Sequence, residues 1–281
     1  MSTQTRDAQR RTGVEPDERP TLAVARFEGR NRVRISLVLV VLFSLFGGLY
    51  VWIAPEFVAG EAMQQLIDSM PPIMIELFGF ESLESVEGLL ASEYYTFGWI
   101  VGLAGYLAYS VAGSVAGDVE TARMDTLLAA PVSRRSVLLG KYIALLVPVV
   151  FANVAVPAIL YFESILVGSP LAIADLAVLH ALSIPYLLAW AAVGLLLGTV
   201  LTRGRTAGRV ALGLVFAGWL FESVIGTTDF AWLGALTPMR YFDPPAVLVH
   251  GTVDVAGAGI LLLAAAVMVG TGLVVFERRD I

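Results

Sequence analysis

The chain has 281 residues, 57% of them hydrophobic and 15% charged, with a mean hydropathy of +0.79. A soluble domain, near half apolar and a quarter charged, does not reach those values, so most of this surface is built for lipid. Zero Cys and two His (His180 and His250) exclude a disulfide framework, a thiolate metal site and a cysteine nucleophile, and leave almost nothing for zinc.

The opening stretch, MSTQTRDAQRRTGVEPDERPT, is polar, mixed in charge and aperiodic, which predicts a disordered tail over 1–20 in place of a secretory signal. Beyond it, a hydrocarbon core of about 30 Å takes about 20 apolar residues at 1.5 Å each. Six runs meet that length, approximately 35–54, 94–117, 137–162, 176–201, 210–228 and 254–276, within one membrane domain over 21–281. The fifth is interrupted by Glu222. A carboxylate near the centre of a span costs about 2.5 to 3.5 kcal/mol unless it faces protein or water.

Charge placement orients the spans. Seventeen of the 18 basic residues fall before span 1, between spans 2 and 3, between spans 4 and 5, or after span 6, and the other side receives only Arg240. The positive-inside rule makes the basic side cytoplasmic, with both termini on it. Residues 55–95 carry eight acidic and no basic residues, mixed with Phe57, Met63, Leu66, Met70 and Phe78. That mixture predicts extracytoplasmic amphipathic helices on the interface, broken at Pro71 and Pro72. Tyr50, Trp52, Tyr94, Tyr95 and Trp99 are placed for an interfacial aromatic belt. Gly113 with Gly117 and Gly194 with Gly198 are small-xxx-small pairs suited to close helix contact. Pro148, Pro157 and Pro185 interrupt spans, and Asn153, between the first two, is a candidate pathway contact together with Glu222.

The most patterned stretch is GDVETARMDTLLAAPVSRRSVLLGKY, residues 117–142. Asp118 and Glu120 suit the positive N-terminus of a short helix, and Met124, Leu127 and Leu128 give it one apolar face. Pro131 ends that helix, Ser133 is an N-cap for the next, and Arg134 and Arg135 lie at headgroup level. A helical hairpin projecting from the membrane, with an apolar knob for a partner, is the expectation.

This run, with Glu120, Leu127 and Leu128, the Pro131 to Arg134 stretch, and Gly140 with Lys141, resembles the signature of type-2 ABC transporter permeases. WLGALTPMRYFDP at 232–244 and FERRDI at 276–281 are similar to that family's last outer loop and tail. Ala122, Arg123 and Met124 stand where the family commonly has Gly, Thr and Leu. The resemblance implies an all-α integral membrane protein with six transmembrane helices and a short cytoplasmic coupling helix between helices 2 and 3. It assigns Glu120, Asp125, Leu127, Leu128, Pro131, Val132, Ser133 and Arg134 to contact with a separate ABC ATPase subunit. It further implies a second permease copy or paralogue, ATP-driven export and a prokaryotic cell membrane.

No GxxxxGK[ST] loop is present, since Lys141 is followed by Tyr142, so ATP hydrolysis is expected on another polypeptide. No cofactor, metal or nucleic acid is expected; the remaining partners are membrane lipids. The rival reading is an ion-coupled secondary transporter or channel, which would use intramembrane ionisable groups such as Glu222, His180, Glu163 or Asp175. An intramembrane enzyme has no support, for there is no G-x-S-x-G and no H-E-x-x-H.

Overall fold

A computed structural model of the chain describes residues 20–58, 85–129, 132–226 and 228–279, with isolated positions between 65 and 74. The predicted tail, most of the 55–95 surface segment and Pro131 lie outside the described residues. In chain order the helices are α1 (Pro20–Val58), α2 (Val86–Glu120), α3 (Arg123–Leu128), α4 (Arg134–Ile143), α5 (Leu146–Val167), α6 (Ile173–Val200), α7 (Gly204–Ile225), α8 (Pro244–Leu248) and α9 (Val255–Glu277). Two 3-10 turns, Ala231–Leu236 and Pro238–Tyr241, precede α8. Among the described residues six helical units are long and apolar enough to cross a membrane: α1, α2, α4 with α5, α6, α7 and α9. The chain is an all-helical, multi-pass membrane protein.

Local chemistry sets the helix ends. Ser85, Ser133, Asp243 and Asp254 each accept a backbone N–H from the first turn of the following helix. Gly168, with φ at 82°, closes α5 in the left-handed region that an L side chain avoids. Inside the bundle α6 is central, packing against α2, α5, α7 and α9, while α1 lies along α4 and α5. The α2–α6 contact is backbone to backbone: a Cβ on Gly194 would strike the Ala108 carbonyl, and one on Gly198 would lie 2.9 Å from the Ala112 carbonyl. Likewise a Cβ on Gly204, at the start of α7, would sit 2.8 Å from Gly117 Cα.

Several expected boundaries shift. The arginine-rich lead-in at 21–34 and span 1 form one 39-residue helix, about 58 Å long, so α1 extends well past a hydrocarbon core of about 30 Å. Span 2 starts at Val86 and not 94, because Leu90–Leu103 is π-helical and continues directly into the α-helix below it. Its wider turn brings Leu90, Tyr94, Tyr95, Trp99 and Leu103 to one buried side. The aromatic belt is therefore corrected: Trp52 is 69% exposed, as a lipid-interface residue would be, but Tyr94, Tyr95 and Trp99 point inward and have no exposed surface. Trp99 meets Phe43 of α1 at 5.3 Å, tilted, and His180 of α6 edge-on at 4.8 Å, while Tyr94 and Tyr95 meet each other edge-on at 4.8 Å. Span 5 ends at Ile225, which puts Glu222 in the last turn of α7 and not near the middle of a span.

The arginine-rich end is held by a buried ion cluster. Lys141, the single lysine, is 1% exposed on α4, and its Nζ lies 2.9 Å from Glu28 Oε1 of α1 and 2.7 Å from Asp118 Oδ2 of α2. It also donates to Ser114 Oγ at 2.8 Å. Removing the cation strands the buried Asp118 carboxylate and the half-buried Glu28 carboxylate, and breaking a buried pair costs about 3 to 5 kcal/mol. Lys141→Met is expected to lower the thermal unfolding midpoint of the detergent-purified protein sharply, and adding Asp118→Asn to recover part of the loss. Equal midpoints for wild type and Lys141→Met would show that the cluster contributes nothing to the fold.

Candidate coupling surface and the opposite cleft

The hairpin at 118–136 forms, with a different arrangement of its charges from the one expected. Asp118 and Glu120 belong to the last turn of α2 and not to the start of α3. Asp118 is committed to Lys141 and, at 3.7 Å, to Arg123. Glu120 Oε2 accepts the backbone N–H of Gly204 at 2.8 Å, placing a carboxylate at the positive N-terminus of α7. The chain then reverses at Ala122, whose φ of 55° lies in the left-handed region. This is the position at which the resembling family commonly has glycine, and glycine is the residue such a backbone favours.

The short helix α3 turns Met124 inward with no exposed surface, so that residue anchors the hairpin and is not part of a knob offered to a partner. Leu127 is half-buried against the same core, and Asp125 is exposed in the first turn of α3. The Leu128 side chain and Pro131 lie outside the described residues. Val132 is half-buried, and Ser133 caps α4 by accepting from Ser136 N at 3.1 Å. Of the residues expected to meet a partner, Asp125, Ser133 and parts of Leu127, Val132 and Arg134 are accessible.

The chain end braces this surface. Arg134 donates to the Arg279 carbonyl at 2.6 Å, and Arg135 is paired with Glu277. Arg279 in turn donates to the Thr199 carbonyl at 2.8 Å, supplying a cation where α6 leaves its last carbonyls unpaired.

At the opposite end a cleft of about 400 Å³ opens between α2, α7 and the 231–245 loop. Its polar lining includes Ser92, Thr96, Glu222, Arg240 and Asp243, with Trp219 beside them. Glu222 Oε1 accepts from Arg240 at 3.1 Å and Oε2 from Thr237 at 3.3 Å. Gly234 lies where a Cβ would run into the Glu222 carboxylate, so a larger residue there would push that side chain out of its present position. The one basic residue on this side thus neutralises the carboxylate that interrupted the fifth apolar run.

Asn153 does not border that cleft. It lies in a buried network joining α2, α5 and α6. Tyr95 donates to His180 Nε2 at 3.0 Å, His180 Nδ1 to Asn153 Oδ1 at 3.1 Å, and Ser183 Oγ to the same oxygen at 2.6 Å. Trp99 Nε1 donates to Ser183 Oγ at 3.1 Å, and Asn153 Nδ2 to the Val149 carbonyl at 2.9 Å. With the imidazole in its Nδ1–H tautomer each of these bonds has one donor and one acceptor.

Six spanning helices and a braced hairpin at the basic end define a polytopic membrane protein. The family model described as ABC-2 family transporter protein matches residues 22–281, and the chain belongs to that family. No curated protein matches the chain.

The residues that sequence reasoning missed are those whose partners are distant along the chain. Lys141 enters the sequence reading only as a basic residue of the 117–142 stretch, although being the only lysine among so many arginines already marks it. Trp99 reads as a belt residue and His180 as an ionisable candidate, and nothing in their spacing along the chain shows that both join one buried network through Ser183 and Asn153. The left-handed Ala122 supplies a check on the hairpin. Ala122→Gly removes a backbone penalty of about 1 to 2 kcal/mol, of which the freer unfolded glycine chain takes back about 0.4 to 1. It is expected to leave the thermal midpoint unchanged or raised, whereas a helical Ala→Gly costs up to about 1 kcal/mol. A clear drop for Ala122→Gly would contradict the turn geometry.

Proposed function

We propose that this chain is the permease subunit of an ATP-driven exporter, and that residues 118–136 dock on a separate ATPase subunit. Both termini and the hairpin are cytoplasmic in this reading, and two permease copies or paralogues complete the transporter. The observation that carries it is the bracing of α3: its flanks are tied to α1 through Glu28 and Lys141, to α7 through Glu120, and to α9 through Arg134 and Arg135. A push on this small surface would thereby reach α1, α7 and α9 as well as the two spans that flank α3. The same basic end holds every described Lys and Arg except Arg240, which supports a cytoplasmic placement. Export is the direction assigned, from the family resemblance.

Asp125, Leu127, Leu128, Pro131, Val132, Ser133 and Arg134 form the docking strip in this proposal, and Glu120 positions it by capping α7. Glu222 lines the outer mouth of the pathway. Asn153 reaches the pathway only if the α5–α6 contact opens, since its oxygen is occupied in the closed network.

The test is co-purification. An ATPase bearing a phosphate-binding loop is expected to travel with the wild-type chain, and Leu127→Asp with Leu128→Asp is expected to release it while the unfolding midpoint stays near wild type. Ala122→Gly should keep the subunit bound. Unchanged association in the doubly substituted chain would refute the docking role. For the pathway, Glu222→Gln is expected to lower transport and leave ATPase association intact. Flux that is proton-coupled, independent of ATP and abolished by Glu222→Gln would instead establish the ion-coupled reading.

A further inference from the structure

Between α1 and the junction of α4 with α5 runs an apolar groove of about 480 Å³ that none of the functional assignments uses. Its floor is Ala25, Gly29 and Val33 on one side and Ile143, Leu146 and Val147 on the other. It lies at a break in the third span. Ala144 and Leu145 form a turn with right-handed helical dihedrals between α4 and α5, and Pro148 has no N–H to return to the Ala144 carbonyl, which accepts a 3.3 Å bond from Val147. Helices α1 and α5 nonetheless approach closely here, with a Cβ on Gly29 falling 3.2 Å from the Val147 side chain.

Two features distinguish this groove from an ordinary seam. First, its rim is cationic: Arg26 and Arg30 border it, and a second hollow on the other side of the same two arginines is bordered by Phe27 and Asn31. Among the described residues no carboxylate pairs with Arg30 or, one turn further along, with Arg34. Second, it opens onto lipid. Continuing at helical spacing from the groove, Leu37 and Val41 of α1 and Val150 and Val154 of α5 are all exposed large apolar residues.

Depth fits as well. The apolar run of α1 begins at Ile35, so at 1.5 Å per residue Arg30 lies about 6 Å, and Arg26 about 12 Å, beyond Arg34 along the axis. The headgroup layer is about 5 to 8 Å thick on each side, so Arg30 stands at phosphate level and Arg26 just above it. A long guanidinium with five donors suits bidentate contact with a phosphate.

We propose that this groove holds an anionic phospholipid, its phosphate between Arg26 and Arg30 and one acyl chain along the seam of α1 and α5. Apolar floor, paired cations and an opening toward the bilayer match an amphiphile with a negative head, and a basic hollow between spanning helices is the setting in which such headgroups bind. The site would be filled from the membrane and not from solution. It is separate from the docking strip and independent of the ATPase assignment.

Native mass spectrometry of the full chain, purified in neutral detergent and titrated with phosphatidylglycerol or phosphatidylcholine, reads the site directly. Wild type is expected to retain phosphatidylglycerol on the order of tenfold more tightly than phosphatidylcholine, and Arg26→Ala with Arg30→Ala to abolish that preference. Leu146→Trp, which fills the floor and keeps both charges, is expected to weaken phosphatidylglycerol as well. Arg205→Ala with Arg209→Ala, on α7, should change nothing. If the arginine variant does not fold, the lipid comparison and Leu146→Trp decide the matter alone. Equal retention of the two lipids by wild type, or undiminished phosphatidylglycerol on the folded arginine variant, would overturn the proposal. Full displacement by millimolar inorganic phosphate would assign the site to a free anion and overturn it equally.

Discussion

A single buried ammonium organises the basic end of this protein. Lys141 has two carboxylates within 2.9 Å and almost no contact with solvent, so the three helices that supply the cluster are fixed in depth relative to one another. Sliding α1 or α2 by one turn, about 5.4 Å, would part a carboxylate from an ammonium that has almost no access to solvent. The ion cluster therefore acts chiefly as a register lock. The hairpin inherits its position from that lock, because Asp118 is at once a member of the cluster and the residue four positions before the strained turn at Ala122.

The two halves of the bundle solve the problem of buried polarity differently. At the basic end the helices are joined by full charges: Lys141 to Glu28, Arg135 to Glu277, and Arg279 to the free carbonyls of α6. Deeper in, the joining groups are Tyr95, Trp99, Asn153, His180 and Ser183, all of which can pair without carrying charge. Hydrocarbon makes that division economical, since an ionised side chain in mid-membrane is expensive while a closed set of neutral donors and acceptors is not. Glu222 and Arg240 return to charge at the far end, where the cleft is open.

The sequence made the number of spans legible because hydropathy acts over 20 residues at once and each run is long enough to read alone. Helix ends were less legible. Polar turns extend helices past their apolar runs, as α1 does over Arg26 to Arg34, and a hydropathy window stops at the first charge. The N-cap at Ser133 was readable, being a local pattern of a few residues. Tyr94, Tyr95 and Trp99 were misread because an aromatic cluster beside a polar segment looks the same whether it faces headgroups or the core, and only the π-helical turn decides. Partnerships such as Glu28 with Lys141, or Glu120 with Gly204, leave no trace in spacing along the chain.

The backbone contacts at Gly194, Gly198 and Gly204 restrict how this sequence can drift. At each of these positions even a methyl group meets a neighbouring helix, so acceptable replacements are reduced almost to none unless the partner helix retreats. On the exposed flanks of α1 and α9 one branched aliphatic can stand for another at little cost. Across a diverging lineage, then, the lipid-facing surface would turn over quickly while a thin glycine seam along α2, α6 and α7 stayed still. Sequence identity to any distant relative would be concentrated in residues that carry no side chain.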